Sequence, residues 1–194
     1  SHYTYDDKGN FIREYGVLRD ITGKKLIETE LTIFATTDIL TDVFNRRVGI
    51  TMLKQQLHQS LRNKKKMVIC FIDVNGLKKI NDTYGHKEGD RLIVSVADVL
   101  KKCARNSDII ARMGGDEFLY VLTDCDTKGA DKAWDRVTAE FDLINSSGKN
   151  KYTISASKGF AELDPKEPKS ADELIALADA NMYEDKRLYK EKNH

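Results

Sequence analysis

The sequence has few prolines, no long apolar run and no excess of charge of either sign. Only two of its 194 residues are proline, while 40% are hydrophobic and 32% are charged. This composition can build one good core and does not resemble a disordered chain. The 32 Lys and Arg residues nearly balance the 31 Asp and Glu residues, giving a formal net charge of +1. That balance excludes the broad basic surface of a protein that wraps nucleic acid, so we expect any phosphate contacts to be local.

Membrane-spanning and disulfide-rich classes are also disfavoured. The longest apolar run, Met67 to Ile72, is far below the roughly 20 residues needed to cross a bilayer, and no charged-then-apolar leader opens the chain. The three cysteines, Cys70, Cys103 and Cys125, are far apart and lack metal-ligand spacing. Separate thiols in odd number favour a reducing compartment. We therefore expect a soluble, cytoplasmic protein with no membrane segment and no nucleic-acid partner.

The length of 194 residues suggests one complete domain plus a piece of another. Residues Asp7 to Asn10 predict a turn between two short aromatic-containing stretches, which is typical of a hairpin. Because a lone hairpin is barely stable, it should belong to a further domain. Next, Ile27, Leu31 and Phe34 fall at i, i+4 and i+7 and predict a helix. Its apolar stripe suits either a second helix or its own domain, and both readings stay open.

From residue 66 onward, strand and helix patterns alternate. Predicted strands cover residues 66–74, 108–113, 117–123 and 152–161, and predicted helices cover residues 77–84, 88–103, 130–144 and 171–189. The order strand, helices, strand, strand, helix, strand, helix predicts an α+β fold of the split βαβ kind.

Two acidic residues lie where predicted strands end or turn. Asp73 ends an apolar strand, and Asp116 follows Gly114 and Gly115 in a hairpin turn. If these strands are neighbours, the two carboxylates could lie within about 5 Å across the ladder. Carboxylates that close repel each other, so a cation such as Mg²⁺ is the natural occupant. The alternative is a hairpin tip with an exposed acid, which the short motif alone would favour.

The residues around this turn, Arg112 to Phe118, read RMGGDEF and resemble the GGDEF family of diguanylate cyclases. Further blocks resemble the family in the same order, at residues 38–47, 71–75, 81–90 and 179–186, so the resemblance covers roughly residues 36–193. The stretch from Gly16 to Thr22 resembles the last hairpin of a PAS sensor domain and its exit helix. The expected organisation is a PAS remnant over residues 1–22, a connector helix over residues 23–37 and a GGDEF domain over residues 38–194.

The resemblance implies a palm-like α+β domain with a central antiparallel-mixed sheet flanked by helices. Each protomer of a homodimer would hold one GTP, and each 3′-hydroxyl would attack the α-phosphate of the other nucleotide. The products would be cyclic di-GMP and two pyrophosphates, under the control of an upstream sensor domain. Two Mg²⁺ ions per active site, or Mn²⁺ in their place, would be needed.

The same resemblance assigns the metal and catalytic residues. Asp73, the main-chain carbonyl of Val74 and Asp116 would hold the ions, which would clamp the attacking and leaving oxygens. Glu117 would lie near the incoming hydroxyl or the second metal. Its role as general base or metal ligand stays open, and a solvent-facing strand carboxylate is the alternative.

Asn81 and Asp90 would read guanine according to the resemblance. A carboxylate can accept from both N1–H and the exocyclic amine of guanine, and adenine lacks that donor pair. The alternatives are a helix-end cap for Asn81 and an N-terminal helix charge for Asp90.

Lys78, Lys186 and Lys190 are the candidates for binding the triphosphate, and Gly114 and Gly115 would let the nucleotide approach the main chain. Any single lysine could instead be simply solvated.

The chain departs from the family pattern at four places. Asn75 stands where aspartate is common, Gly76-Leu77 replaces a frequently aromatic pair, Asp42 replaces a glycine, and Tyr189-Lys190 stands where glycine-arginine is usual. Lysine keeps the charge of arginine but loses its bidentate fork. These departures leave a second function open, a catalytically weak or inactive GGDEF domain that binds GTP or cyclic di-GMP as a regulatory module.

Residues Arg105 to Asp108 match the R-x-x-D inhibitory site of the family. An arginine fork can bind guanine O6 and N7 or a phosphate, while the aspartate accepts from the N1 edge. Cyclic di-GMP would then act as a product inhibitor. The alternative is an ordinary surface pair of Arg105 and Asp108.

Overall fold

The computed structural model describes residues 2–15, 34–148 and 150–192, with the side chains of residues 2, 3, 14, 15 and 192 left out of the description. The chain divides into two units, Ser1–Ala35 and Thr36–His194.

The first unit contains the predicted hairpin. Strands β1 (His2–Tyr5) and β2 (Phe11–Tyr15) pair in antiparallel fashion. The Asp6 carboxylate organises the turn, because it accepts hydrogen bonds from the main-chain N–H groups of Lys8 and Asn10 at 2.9 and 2.7 Å. Ile27 and Leu31 of the predicted connector helix lie outside the described residues. The PAS remnant and the connector helix therefore stay predictions.

The second unit is built on a five-stranded sheet with the order β3-β5-β6-β4-β7. Its strands are β3 (Phe44–Asn45), β4 (Met67–Val74), β5 (Ile109–Gly114), β6 (Glu117–Leu122) and β7 (Ala156–Leu163). Strand β3 runs parallel to β5, and the other neighbouring pairs are antiparallel. Every residue of β4 is buried, as expected for a continuous apolar strand covered on both faces.

Within the described residues, five helices cover the two faces of the sheet. They are α1 (Arg46–Asn63), α2 (Leu77–Tyr84), α3 (His86–Cys103), α4 (Thr127–Ser146) and α5 (Ala171–Lys192). Alternate residues of β4 enter two different cores: Cys70 and Ile72 pack with α2, α3 and α4, whereas Ile69 and Phe71 pack with α1 and α5. This arrangement confirms the predicted α+β class with a mixed sheet flanked by helices. No helix within the described ranges combines the length and apolarity needed to span a bilayer.

Helix α1 and strand β3 are present in the structure but have no counterpart among the predicted elements. The buried residues of α1 are Gly49, Leu53, Leu57 and Ser60, and Ile50, Met52 and Leu61 pack against the same core. The segment therefore carries a helical apolar period that the prediction from sequence did not use. The helix begins after Asn45, whose side chain accepts from the main-chain N–H of Val48 at 3.1 Å.

The predicted strand over 152–161 is wrong at its start, since β7 begins at Ala156. The main-chain N–H of Ile154 donates instead to the side chain of Asn145 at 2.8 Å.

Gly159 of β7 lets helix α5 approach the sheet closely. A Cβ atom at this position would overlap the main-chain oxygen of Ala178 and the main-chain nitrogen of Met182. Because both obstacles are main chain, side-chain rotation cannot relieve the overlap. The position of α5, and of every side chain that it presents to the sheet, thus depends on the absence of a side chain here.

We predict that Gly159→Ala lowers the free energy of unfolding by more than about 3 kcal/mol, because α5 must move away from β7. The matched control is Gly148→Ala in an exposed turn with φ of 65° and open space around it. The control should cost only about 1 kcal/mol for the left-handed conformation. Urea denaturation of the two variants measures both values, and equal losses would contradict this account of the helix–sheet contact.

Candidate active site

Four site residues meet at one end of β4 and β6. The antiparallel register places Asp73 directly opposite Glu117. The main-chain N–H of Val74 donates to the main-chain oxygen of Asp116 at 3.0 Å, which holds the hairpin turn against the strand end. The strands that carry Asp73 and the turn are thus neighbours, as the sequence reasoning required. Asp73, Asp116 and Glu117 are called the acid centre below.

The β5–β6 turn needs its two glycines. Gly114 has φ of 144° and Gly115 has φ of 51°, values that side-chain-bearing residues rarely adopt. Neither glycine has an atom within 4 Å of the position that a Cβ would take, so the space over the turn is open. The turn therefore presents Asp116 beside an accessible stretch of main chain.

The acid centre concentrates negative charge in a partly buried place. Burial raises the pKa of Asp73, a hydrogen bond from Lys186 opposes the rise, and the charge of Asp116 adds to it. The pKa of Glu117 is also raised, first by burial and then by the charges of Asp116 and Asp73. Lys186 compensates part of this charge, because its Nζ donates to both carboxylate oxygens of Asp73 at 2.6 Å.

The residues present fit a magnesium site. Burial is the main cause of the raised pKa values of Asp73 and Glu117, and the charges of neighbouring carboxylates add to it; a cation would relieve both effects. Within the described ranges, no three His, Cys, Asp or Glu side chains form a group that could hold a metal ion by themselves. The donors would be the carboxylates of Asp73 and Asp116 and the main-chain carbonyl of Val74, with water and phosphate oxygens completing the shell. Mg²⁺ favours this kind of binding by one or two carboxylates.

Two charged residues that were not predicted from the sequence shift the pKa of Glu117. The negative charge of Asp179 raises the pKa of Glu117, and the positive charge of Arg46 lowers it. Asp179 lies seven residues before Lys186 on α5, so helical spacing alone could have placed both on one side of that helix. Arg46, whose Nη1 donates to the main-chain oxygen of Met113 at 3.4 Å, could not be found this way, since it depends on how α1 packs against β5.

A cavity of about 470 Å³ adjoins the acid centre. Val74 and Asp116 line it together with four lysines, Lys78, Lys79, Lys186 and Lys190. We call it the lysine cavity. The structure thus brings the three predicted triphosphate residues to one place beside the predicted metal ligands. It adds Lys79, which the sequence reasoning did not select among neighbouring lysines.

The predicted guanine residues lie where α2 meets α3, outside the residues that line the lysine cavity. Asn81 of α2 is half-buried and packs against Gly89, where a Cβ would collide with the Asn81 Oδ1 atom. Asp90, the next residue of α3, is exposed and lines a separate cavity with Leu40 and Arg91. Asn81 and Asp90 are therefore close in the fold, but the structure does not join them to the lysines in one continuous cavity.

An arginine links the start of the second unit to the turn that carries Asp116. Arg112 donates through Nε and Nη2 to the main-chain oxygen of Gly115 at 3.0 and 2.7 Å, and through Nη1 to Asp38 at 3.0 Å. Asp38 also accepts from the N–H and hydroxyl of Thr41. Burial works to raise the pKa of Asp38, but the hydrogen bonds from Thr41 and Arg112 outweigh it and the pKa is lowered.

The R-x-x-D residues form a tight turn whose acid is already engaged. The Asp108 carboxylate accepts from the main-chain N–H of Arg105 at 3.0 Å, from the Tyr120 hydroxyl at 3.1 Å and from the main-chain N–H of Thr123 at 3.3 Å. Burial, followed by the charge of Asp108, raises the pKa of Tyr120. Arg105 is exposed and lines a different cavity from Asp108. The main chain of Arg105 is thus hydrogen-bonded to Asp108, but the two side chains line different cavities.

Comparison with known proteins identifies similar sequences. The family model described as "Diguanylate cyclase, GGDEF domain" matches residues 35–192. Diguanylate cyclase A of Treponema denticola is 32% identical over 193 residues, which cover 96% of this chain and 50% of that protein. The probable diguanylate cyclase DgcC of Escherichia coli is 33% identical over 168 residues, which cover 86% of this chain and 45% of that protein. The chain thus spans about half the length of these two curated relatives.

Solved structures share the fold. The coiled coil and GGDEF domain of DgcB from Caulobacter crescentus, in complex with c-di-GMP, has a TM-score of 0.75 at 27% identity and matches 85% of this chain and 88% of that one. Diguanylate cyclase SiaD from Pseudomonas aeruginosa, in complex with its activator SiaC, has a TM-score of 0.71 at 28% identity and matches 85% and 63%. These likenesses confirm the predicted palm-like arrangement.

The lowered pKa of Asp38 leads to a prediction about stability and pH. Its folded-state pKa lies below the unfolded-state value, so its contribution is present above the unfolded pKa and is lost as the pH falls through the folded pKa. We expect Asp38→Asn to lower the free energy of unfolding by about 1 to 2 kcal/mol near pH 7. The difference from the unmodified chain should shrink as the pH falls to about 3.5.

Urea denaturation across this pH range measures the difference. The control is Asp42→Asn, which changes an exposed carboxylate in the same segment. A difference for Asp38→Asn that is the same at every pH would contradict a role for its ionised form.

Proposed function

The chain belongs to the GGDEF family of diguanylate cyclases, and we propose that it condenses two molecules of GTP into cyclic di-GMP and two pyrophosphates. The observation that carries the proposal is the register of β4 and β6, which sets Asp73 opposite Glu117 and beside Asp116. A cavity with four lysines opens at the same place. Clustered carboxylates next to clustered cations suit a metal-bound triphosphate.

In the proposed reaction, Asp73, Asp116 and the carbonyl of Val74 would hold magnesium. The bound metal supplies Lewis-acid stabilisation of the attacking and leaving oxygens. Lys186 leaves Asp73 for the triphosphate and, with Lys78 and Lys190, binds the β- and γ-phosphate oxygens. Glu117 lies opposite Asp73 and is the group that we assign to accept the proton of the 3′-hydroxyl.

Recognition of guanine is assigned to Asn81 and Asp90. The Asp90 carboxylate would accept from N1–H and the exocyclic amine, and the Asn81 amide would serve a remaining edge atom. Since adenine cannot supply that pair of donors, its binding would leave Asp90 without partners, which is a strong form of discrimination. Gly89 supports this assignment, because it gives Asn81 the room to lie against α3.

The proposed reaction needs two copies of the chain. Each copy contributes one acid centre and one nucleotide, so turnover depends on how two sites face each other across a homodimer. We propose that residues upstream of the domain, including a sensor in the full-length protein, set this geometry. The contact from Arg112 to Asp38 and Gly115 supports the idea, since it connects the start of the domain to the turn beside Asp116.

One observation favours a second function. Lys186 already donates to both oxygens of Asp73, so the charge of this acid is compensated from within the chain. A GGDEF domain that keeps this ion pair would bind GTP or cyclic di-GMP as a regulatory module without turning it over. The two functions differ in whether cyclic di-GMP is formed.

The direct test incubates the purified chain with GTP and Mg²⁺ and separates the nucleotides by chromatography. We expect cyclic di-GMP to form, and Asp116→Asn to lower its rate by more than about 100-fold, because a metal ligand contributes several kcal/mol to the transition state. The control, Asp131→Asn, changes an exposed carboxylate on α4 and should be neutral. GTP binding without any turnover, even in a chain fused to a dimerising coiled coil, would establish the second function instead.

Product inhibition through Arg105 gives a separate prediction. If cyclic di-GMP binds the arginine fork, Arg105→Ala should raise the inhibition constant of cyclic di-GMP by about tenfold or more, since charge-assisted hydrogen bonds are lost. The uninhibited rate should stay the same. Arg62→Ala, an exposed arginine on α1, is the control. Inhibition that is unchanged in Arg105→Ala would refute the assignment of this site.

A further inference from the structure

A second cavity of about 320 Å³ lies next to the lysine cavity. The two share Gly76, Lys79 and Thr83, but the second has its own aromatic walls. These walls come from the end of α2, the segment before β7 and helix α5, and consist of Tyr84, Tyr152 and Tyr189. We call it the tyrosine cavity.

The tyrosine rings of this cavity are held in place by hydrogen bonds. The rings of Tyr84 and Tyr152 lie with centroids 6.0 Å apart and planes tilted by 43°. The Tyr84 hydroxyl donates to the main-chain oxygen of Lys151 at 3.3 Å, and the Tyr152 hydroxyl donates to the main-chain oxygen of Glu88 at 3.0 Å. Rings that are already ordered cost little entropy when a ligand packs on them. Aromatic faces of this kind stack against nucleobases of any sequence.

The charge of the tyrosine cavity is positive. Lys79 and Lys151 line it, and none of its lining residues is acidic. Four other cavities in the described part of the chain each include at least one Asp or Glu. The whole chain has a net charge of only +1, but this cavity has two lysines and no acidic residue in its lining. We therefore expect it to favour an anionic ligand.

A polar group at the wall of this cavity has an unmet hydrogen bond. Asn75, which lines the tyrosine cavity, accepts from the Ser157 hydroxyl at 3.0 Å through Oδ1. Its Nδ2 is the one buried side-chain nitrogen or oxygen in the described part of the chain that has no hydrogen-bond partner. Because Nδ2 is itself buried, it is not exposed to a ligand in the cavity, and the tyrosine rings and the two lysines are the groups that a ligand would contact.

We propose that the tyrosine cavity binds a nucleoside monophosphate, with the base against the tyrosine rings and the phosphate between Lys79 and Lys151. Its volume is close to the lower limit of about 300 Å³ for small-molecule sites, which suits one mononucleotide better than a dinucleotide. Because Lys79 lines both cavities, the bound mononucleotide weakens binding of GTP in the lysine cavity. This second part rests on the proposed function.

The first experiment measures AMP binding to the whole chain by calorimetry without Mg²⁺. AMP is chosen because the proposed guanine residues disfavour adenine. We expect Lys151→Glu to weaken AMP binding by at least about tenfold, through loss of one charge-assisted contact and addition of a repulsive charge. Lys151 is exposed and holds Tyr84 through its main chain, so the variant should fold. Lys54→Glu, an exposed lysine on α1, carries the same change of charge and should bind AMP normally.

Inorganic phosphate is the second probe. AMP should bind at least about fivefold more tightly than phosphate, because base stacking adds to the phosphate contact. Absence of AMP binding up to millimolar concentrations, equal binding to Lys151→Glu, or equal affinity for phosphate and AMP would each overturn the proposed site.

The third measurement addresses coupling. GTP affinity is measured on Asp116→Asn with and without saturating AMP, and we expect AMP to weaken GTP binding by at least about threefold. An unchanged GTP affinity would overturn the coupling but not the site. AMP binding needs no turnover, so its outcome is independent of whether the chain forms cyclic di-GMP.

Discussion

The antiparallel register between β4 and β6 is the constraint on which the site depends. It runs from Val68 opposite Leu122 to Asp73 opposite Glu117. Because side chains alternate between the two faces of a sheet, a slip of one residue would move Asp73 to the other face and break the acid centre. Two cores hold the register, since alternate residues of β4 pack against different helices. The apolar packing of this strand thus fixes the positions of the charged groups at its end.

Helix α5 is the second support of the site, and it is positioned by contacts of two kinds. The absent side chain at Gly159 lets its main chain lie close to β7. Asp185 accepts from the main-chain N–H of Lys158 at 3.0 Å, which fixes the rotation of the helix one residue before Lys186. The position of Lys186 beside Asp73 therefore depends on how the main chain of α5 is held, and not on the conformation of the long lysine side chain.

Much of the fold could be predicted from periodicity. In the candidate site, the pairing of Asp73 with Asp116 followed from strand ends, whereas the other residues were assigned only by the family resemblance. The bounds of α2 agreed with the pattern, and the neighbouring strands of Asp73 and Asp116 followed from an apolar run and a glycine turn. Helix α1 was missed although Ile50, Leu53, Leu57 and Leu61 repeat at helical spacing in its sequence. The contact of Arg112 with Asp38 joins residues 74 positions apart, and no local pattern signals it. The same holds for Tyr120, whose contact with Asp108 depends on how β5 pairs with β6.

The contact between Lys186 and Asp73 also bears on the folding of the chain. A buried carboxylate without a partner would weigh against folding. Here a lysine of the same chain supplies the counterion, so the charge of Asp73 is balanced within the folded chain, and the native fold needs no bound cation at this position.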